Sequence, residues 1–449
     1  MPRIKPFVVF GLIALLGAIA VLGAFATSGA RATVAYSDTA GLTVPSANMS
    51  LSTNFKANPA TGAESAANVA FANIRVNQDA STEAQNEPFV AVNPTNSNHI
   101  VVGANSWQVG NGRFEVFAYV TFDGGKTWAT SRPYIDRNAS RLNAADPTVA
   151  FGADGKVYFG FVAITPAPGA VAVSTSNDGG LTWNRQNWVT SFAGAADKPA
   201  IASANGKLYA FYQGQALVSQ VSADGGSTWS AATAIDAAGR NAAPVVDRNG
   251  TVWLFYNTPS AIKVVNAAGG RAVTVSNTVA LQGRPTQYRA NIYPAAGVDS
   301  RGNFYVAWAD GRNVGRGNDI LLSRSSDARN WSAPVNVNTD SGSSDQLLPA
   351  LSVSKDGSVT VAWLDNRNDS ANVNYDVYMA RSIDGVTFGA NQRVTAVSSN
   401  PNNDPRTLGQ MIGDYFAMAA GDGVVYTAWT DTRNNNADIY LAPIPTANN

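Results

Sequence analysis

Glu87, Asp146, Asp197, Lys198, Arg289, Asp345 and Asp414 share one position in this chain. Each stands shortly before an apolar segment that opens at or near a proline, at Pro88, Pro147, Pro199, Pro294 and Pro349, or at Tyr415 in the last case. Neighbouring carboxylates can divide the roles of general acid and general base, and a tyrosine beside a carboxylate can serve as a nucleophile. Glu87, Asp146, Asp414 and Tyr415 are therefore the catalytic candidates, with Tyr293 in the same pool. The structural alternative is plain: an acidic residue before proline can cap the first N–H groups of a strand.

A second polar pattern repeats near the C-terminus as Trp308-Ala-Asp-Gly-Arg312, Trp363-Leu-Asp-Asn-Arg367 and Trp429-Thr-Asp-Thr-Arg433. Each copy is followed by asparagine and, a few residues on, by Asp319, Asp376 or Asp438. Either each arginine pairs with a carboxylate of its own or the neighbouring blade and ties the loop ends, or the arginines line a mouth for a carboxylate-bearing ligand. On the second reading Arg289, Arg312, Arg367 and Arg433, with Asp310, Asp365 and Asp431, bind ligand. No cofactor is called for. The Asp and Asn oxygens make only a thin case for Ca2+, because no EF-hand-like spacing is present.

Composition narrows the chemistry. Lysine plus arginine balances aspartate plus glutamate at 31 each, so no basic field exists to attract nucleic acid or an anionic membrane surface. There is no cysteine, which removes disulfides and thiolate chemistry. The single histidine, His99, gives little support to histidine metal sites or Ser-His-Asp catalysis.

These residues need strands to hold them, and the chain supplies them at regular intervals. After each proline-led segment a turn glycine opens a second strand, at Gly155, Gly206, Gly250, Gly302, Gly357 and Gly423. An aromatic follows each glycine: Phe161, Tyr212, Tyr256, Trp308, Trp363 and Trp429. The first unit departs, with Asn98 and Ala104 in those places. A third strand and a more polar fourth complete units of roughly 50 residues, the pattern of a propeller blade. Seven openings predict seven blades. The last unit lacks a fourth strand, and Arg75-Val-Asn-Gln-Asp79 matches Asn336-Val-Asn-Thr-Asp340, so an N-terminal strand is expected to complete it and close the ring.

Between third and fourth strands stands Thr121-Phe-Asp-Gly-Gly-Lys-Thr-Trp128, repeated as Ser176–Trp183 and Ser222–Trp229 and shortened at Ser325–Trp331 and Ser382–Phe388. Unit 4 has Asn266-Ala-Ala-Gly-Gly270 instead. The pattern resembles the Asp-box (BNR) repeat of the sialidase superfamily of β-propellers. The resemblance implies an all-β propeller of four-stranded blades, with six blades, as in sialidases proper, as the alternative to seven. It makes Asp123, Trp128, Asp178, Trp183, Asp224, Trp229, Asp327 and Asp384 structural, and it places an active site on the face opposite the boxes. A sialidase of this kind uses three arginines, a tyrosine–glutamate couple and an acid aspartate. The family's Arg-Ile-Pro signature is replaced here by Glu87-Pro-Phe89, and Glu87 and Tyr415 open adjacent innermost strands.

Arg3 and Lys5 precede an apolar run from Phe7 to Ala26 and an Ala30-Arg-Ala32 cleavage site. Residues 1–32 read as an export signal, with an uncleaved anchor as the alternative and the only expected membrane contact. Residues 33–70 read as a low-complexity linker and 71–449 as the propeller. The functional expectation is a secreted or extracytoplasmic propeller that binds glycan or another surface ligand. A glycoside hydrolase and a protein-docking scaffold are the alternatives.

Overall fold

Four-stranded antiparallel sheets follow one another along the chain, seven in all, each built in the order first strand to fourth. They are described in a computed structural model over residues 71–108, 113–133, 143–164, 169–190, 195–282, 288–404 and 412–446. Each blade starts on an inner strand: Ala84–Asn93, Asn143–Phe151, Asp197–Ala204, Arg240–Val246, Ala295–Val298, Gln346–Val353 and Ala417–Ala420. These seven strands neighbour one another in a closed circuit, so the blades form a ring. The chain is a seven-bladed β-propeller, and the six-bladed alternative is set aside.

Ring closure takes the predicted form. Ile74–Arg75 pairs antiparallel with the third strand of blade 7, Ile74 opposite Leu441 and Arg75 opposite Tyr440. The Asn77 amide then donates to Asp79, Gln85 and Asp438, while Ile439 N donates to Asn77 Oδ1 at 2.8 Å. Asn338 makes the same set in blade 5, donating to Asp340, Gln346 and Asp319 and accepting from Ile320 N. The sequence match between the two segments is thus a match of polar partners.

The core lies in the seams between blades, because both faces of each inner sheet are covered by neighbours. The second-strand aromatics fill those seams: Phe161, Tyr256, Trp308, Trp363 and Trp429 are fully buried. Outer strands are short, down to the two residues Asn187–Trp188 in blade 2, which limits exposed sheet edge.

The Asp boxes are closed turns. Asp123 Oδ1 accepts from Lys126 N and Thr127 N, both at 2.9 Å, and its Oδ2 from Thr127 Oγ1 at 2.6 Å. Gly124 and Gly125 take φ of 73° and 94°, where a side chain would be strained. Asp178 and Asp224 repeat the bonds to Thr182 and Thr228. Trp128 and Trp183 donate to Gly125 O and Ser131 Oγ. Asp327 and Asp384 hold shortened versions of the turn. The boxes meet the first-to-second-strand turns: Gly124 N donates to Asn98 O, and the His99 ring bonds to Gly179 O at 2.8 Å. This sets the starts of the inner strands at the opposite end. Blade 4 closes its sheet without a box, through a turn with Gly269 and Gly270 at φ of 121° and 134°.

The export or anchor segment and the linker lie outside the described residues. Among the described residues no helix is long and apolar enough to cross a membrane.

Candidate functional site

Five inner strands carry a register slip near their start, between Asn86 and Phe89, Ala145 and Thr148, Asp197 and Ala200, Arg240 and Ala243, and Leu347 and Ala350. Within each slip one residue adopts a left-handed backbone: Glu87 at φ 53°, Asp146 at 56°, Lys198 at 48°, Asn241 at 54° and Leu348 at 49°. Four of these five precede proline. Proline has no N–H for the ladder and bars the preceding residue from the right-handed helical region, so a bulge forms there. A left-handed non-glycine residue costs on the order of 1–3 kcal/mol and persists where its surroundings hold it. The bulge re-aims the side chain, and in blades 1, 2 and 3 the re-aimed side chains are charged.

They meet. The Lys198 ammonium lies 2.8 Å from Asp414 Oδ2, 3.0 Å from Asp146 Oδ1 and 3.4 Å from Glu87 Oε1, joining blades 1, 2, 3 and 7. Its Nζ also stands 5.5 Å from the centre of the Tyr415 ring. Glu87 is fully buried; it accepts from Asp414 N at 2.9 Å and from Asn105 Nδ2 at 3.0 Å. Asn105 accepts in turn from Asp146 N at 3.0 Å, so one amide sets two of the acids. Arg289 grips Asp414 through Nε and Nη2 while its side chain stays 43% exposed. Gly413, at φ 117°, lies so close to Glu87 that a Cβ would sit 2.7 Å from the Glu87 Cγ.

The acids share protons unequally. Burial pushes Glu87 up to about 8, with the charges of Asp146 and Asp414 adding to it and Lys198 opposing. Burial also works against Asp146, but Lys198 and the carboxyls of Glu87 and Asp197 hold it well below the usual carboxylate range. Asp197 is surrounded by protein yet reaches solvent; desolvation and the Asp146 charge push it up to about 7. Against burial, Asp146 and Glu87 hold the Lys198 ammonium well above its ordinary value.

A pH dependence of stability follows. Glu87 and Asp197 bind protons in the folded state up to about 8 and about 7, against roughly 4 in an unfolded chain. The folded state therefore holds more protons through that window, and stability falls as pH rises through it. The melting temperature should drop between pH 6 and 8.5, by less in Asp197→Asn. A rise over that range would contradict the proton sharing.

The remaining candidates are placed differently. Asp310, Asp365 and Asp431 are fully buried and each accepts from the tryptophan two residues before it, at 3.0, 2.6 and 2.9 Å. Each also accepts from the backbone N, Nε and Nη2 of its own Arg312, Arg367 or Arg433. Arg367 and Arg433 further lie over Tyr378 and Tyr440, at 4.3 and 4.2 Å. These arginines are spent on their own loops and on adjoining segments, Nη2 also donating to Asn277 O from Arg312, to Asn391 and Asp340 from Arg367, and to Asn73 from Arg433. The Tyr415 hydroxyl donates to Pro147 O at 3.4 Å, and burial pushes its pKa well above normal, opposite to what a nucleophile needs. Lys198, in the sequence pool but not among the catalytic candidates, stands at the centre of the cluster, and Asn105, not singled out by the sequence, lies beneath it. An asparagine directly after the apolar run Ile100–Ala104 is the available signal. Among the described residues no group of His, Cys, Asp or Glu is arranged to hold a metal ion.

Seven blades with Asp boxes on one face and a charged cluster at the other end of the inner strands define a sialidase-like β-propeller. Residues 64–292, just over half of the 449-residue chain, match the BNR repeat-like domain, and the chain belongs to that family. No curated protein sequence matches the chain. Among solved structures it is similar to YCF48 bound to D1 peptide, at 14% identity over 83% of this chain and 96% of that one, TM-score 0.48. A Penicillium chrysogenum alpha-L-arabinanase complexed with arabinobiose is 13% identical over 83% and 97%, TM-score 0.47. A Trypanosoma rangeli sialidase in complex with sialic acid is 13% identical over 80% and 54%, TM-score 0.42. Likeness at this level carries no argument about ligand or reaction.

Proposed function

We propose that this chain is an exported propeller that binds a glycan or related surface polymer at the box-free end of its inner strands. The observation that carries the reading is the Lys198 cluster and what it leaves open. The inner charges are locked together, while the Asp197 carboxyl and the outer side of Arg289 reach solvent, with half-buried Asn291 bonded to Asp414 at 3.3 Å and Tyr293 against Tyr415, ring centres 6.3 Å apart. Arg289 Nη1 has no partner among the described residues, so it can donate to a ligand oxygen. A rigid rim of a few polar groups beside tyrosines suits a polyhydroxylated ligand. The fate of Arg312, Arg367, Arg433 and Tyr415 weighs against hydrolysis of the sialidase type.

A hydrolase reading is kept for one reason: Asp146 and Asp197 are neighbouring carboxyls whose environments push their pKa values apart, as an acid and its partner require. A glycan array together with fluorogenic glycosides, sialosides included, separates the two. Binding without turnover, weakened by Arg289→Ala, is expected. Turnover abolished by Asp197→Asn would transfer the site to catalysis, and absence of both binding and turnover would sink the proposal. Export rests on residues 1–32; N-terminal sequencing of protein from the medium should begin after Ala32.

A further inference from the structure

A cavity of about 330 Å³ opens in the seam between blades 2 and 3, and its residues are not part of the Lys198 cluster. The outer strand of blade 2 is only Asn187–Trp188; Val189 and Thr190 then both donate their backbone N–H to Val171 O. So short a strand covers little of blade 3, leaving Tyr212, Val218 and Gln220 at the cavity wall. Ala196 also lines it, one residue before Asp197, so the cavity adjoins the mouth along the chain. Its volume falls at the low end of the range for ligand pockets.

The lining chemistry is selective. Among the described residues no charged side chain lines the cavity, which disfavours anionic and cationic ligands. Tyr212 and Gln220 are each 7% exposed, and the Tyr212 hydroxyl donates to Gln220 Oε1 at 2.8 Å while Gln220 Nε2 donates to Ser230 O at 2.7 Å. That leaves a fixed phenol oxygen to accept and a second amide N–H to donate. Gln215, at the turn after the second strand, is exposed and makes no bond among the described residues. The backbone is already spent: Val189, Thr190, Ala196 and Gly214 donate within the protein, and Val218 is paired on both sides, with Tyr212 and Ala234. A peptide adding as a strand would find no open ladder at these five residues. Fixed side-chain donors and acceptors over an uncharged, partly apolar floor suit a neutral saccharide.

We propose that the seam between blades 2 and 3 is a saccharide subsite that receives the continuation of a neutral glycan chain whose end sits at the Asp197–Arg289 mouth. This rests on the glycan reading of the mouth and adds that the ligand is a chain without charge along its length.

The test measures affinity for ladders of neutral malto-, xylo- and arabino-oligosaccharides, from the monosaccharide upward, by calorimetry. The variants are Ala232→Trp, which fills the cavity from an exposed position, Gln215→Ala, and Arg289→Ala for the mouth. Melting transitions check that each variant folds. Affinity should rise about tenfold or more as the chain lengthens past the mouth, and Ala232→Trp should abolish that gain. Equal affinity for monosaccharide and oligosaccharide, lowered only by Arg289→Ala, would overturn the subsite and leave the mouth intact. A length gain lost in Ala232→Trp but untouched by Arg289→Ala would keep the subsite and overturn the mouth. Binding of charged saccharides only, or of a peptide that Ala232→Trp blocks, overturns the subsite as stated. No binding by the parent protein overturns both.

Discussion

Replacing Lys198 with methionine should cost the fold roughly 3–5 kcal/mol, the range for breaking a buried ion pair by removing one partner. The side chain is only 12% exposed, and without it the Asp146 carboxylate loses the cation that neutralises it, Glu87 (protonated near neutral pH) loses a donor, and Asp414 keeps only Arg289 as a cation. Three blades besides its own lose a shared tether at once. Urea unfolding near neutral pH reads the loss. Adding Asp146→Asn to Lys198→Met should recover part of it, because the carboxyl that Lys198 holds ionised is then neutral by construction. A loss under about 1 kcal/mol, the size of an exposed surface pair, would mean that solvent, and not Lys198, satisfies these acids.

The second large effect belongs to the Trp-x-Asp-x-Arg loops. Asp365 is fully buried and accepts at 2.6 Å from Trp363 Nε1, at 2.8 Å from Arg367 N, and at 2.9 and 2.7 Å from Arg367 Nε and Nη2. Asp365→Ala strands Trp363 Nε1, Arg367 N and Arg367 Nε, while Arg367 Nη2 keeps Asn391 and Asp340, and should destabilise by about 3–5 kcal/mol. Arg367→Ala should cost less, about 1–3 kcal/mol, since Trp363 and the backbone still serve the carboxylate. Neither change should weaken glycan binding beyond its effect on folding. If Arg367→Ala left the melting temperature intact and cut affinity instead, the arginine would be a ligand contact after all.

These expectations separate what the residues announced from what only the folded chain displays. The boxes were legible because their chemistry is local: Asp123, its threonine and its two glycines close within one turn. Ring closure was legible for a related reason, since Asn77 and Asn338 serve the same partners and so leave the same letters. The Lys198 cluster was legible only as a pool. Glu87 and Asp414 are 327 residues apart in the bond that joins them, and no periodicity says which acids will face which base. The bulge hid it further, because a residue before proline is expected in extended backbone, whereas Glu87, Asp146 and Lys198 turn left-handed. In the Trp-x-Asp-x-Arg loops the letters suited both a closed fork and an open mouth, and their repetition at equivalent positions favoured the fork. Burial of the aspartate decided between them.

The pairing of Ile74–Arg75 with blade 7 also governs how the molecule comes into being. Arg75 meets Asp438 across 363 positions of sequence, so the last sheet cannot assemble until nearly the whole chain has emerged. Until then the third strand of blade 7 has no outer neighbour, and the first blade has no blade 7 to rest against. Contacts this distant slow folding and lengthen the time that unpaired strand edges are exposed. The cost of a seamless ring is thus borne in its assembly. Once shut, the two ends of the propeller are held by each other, and opening it requires breaking the first and last strands apart together.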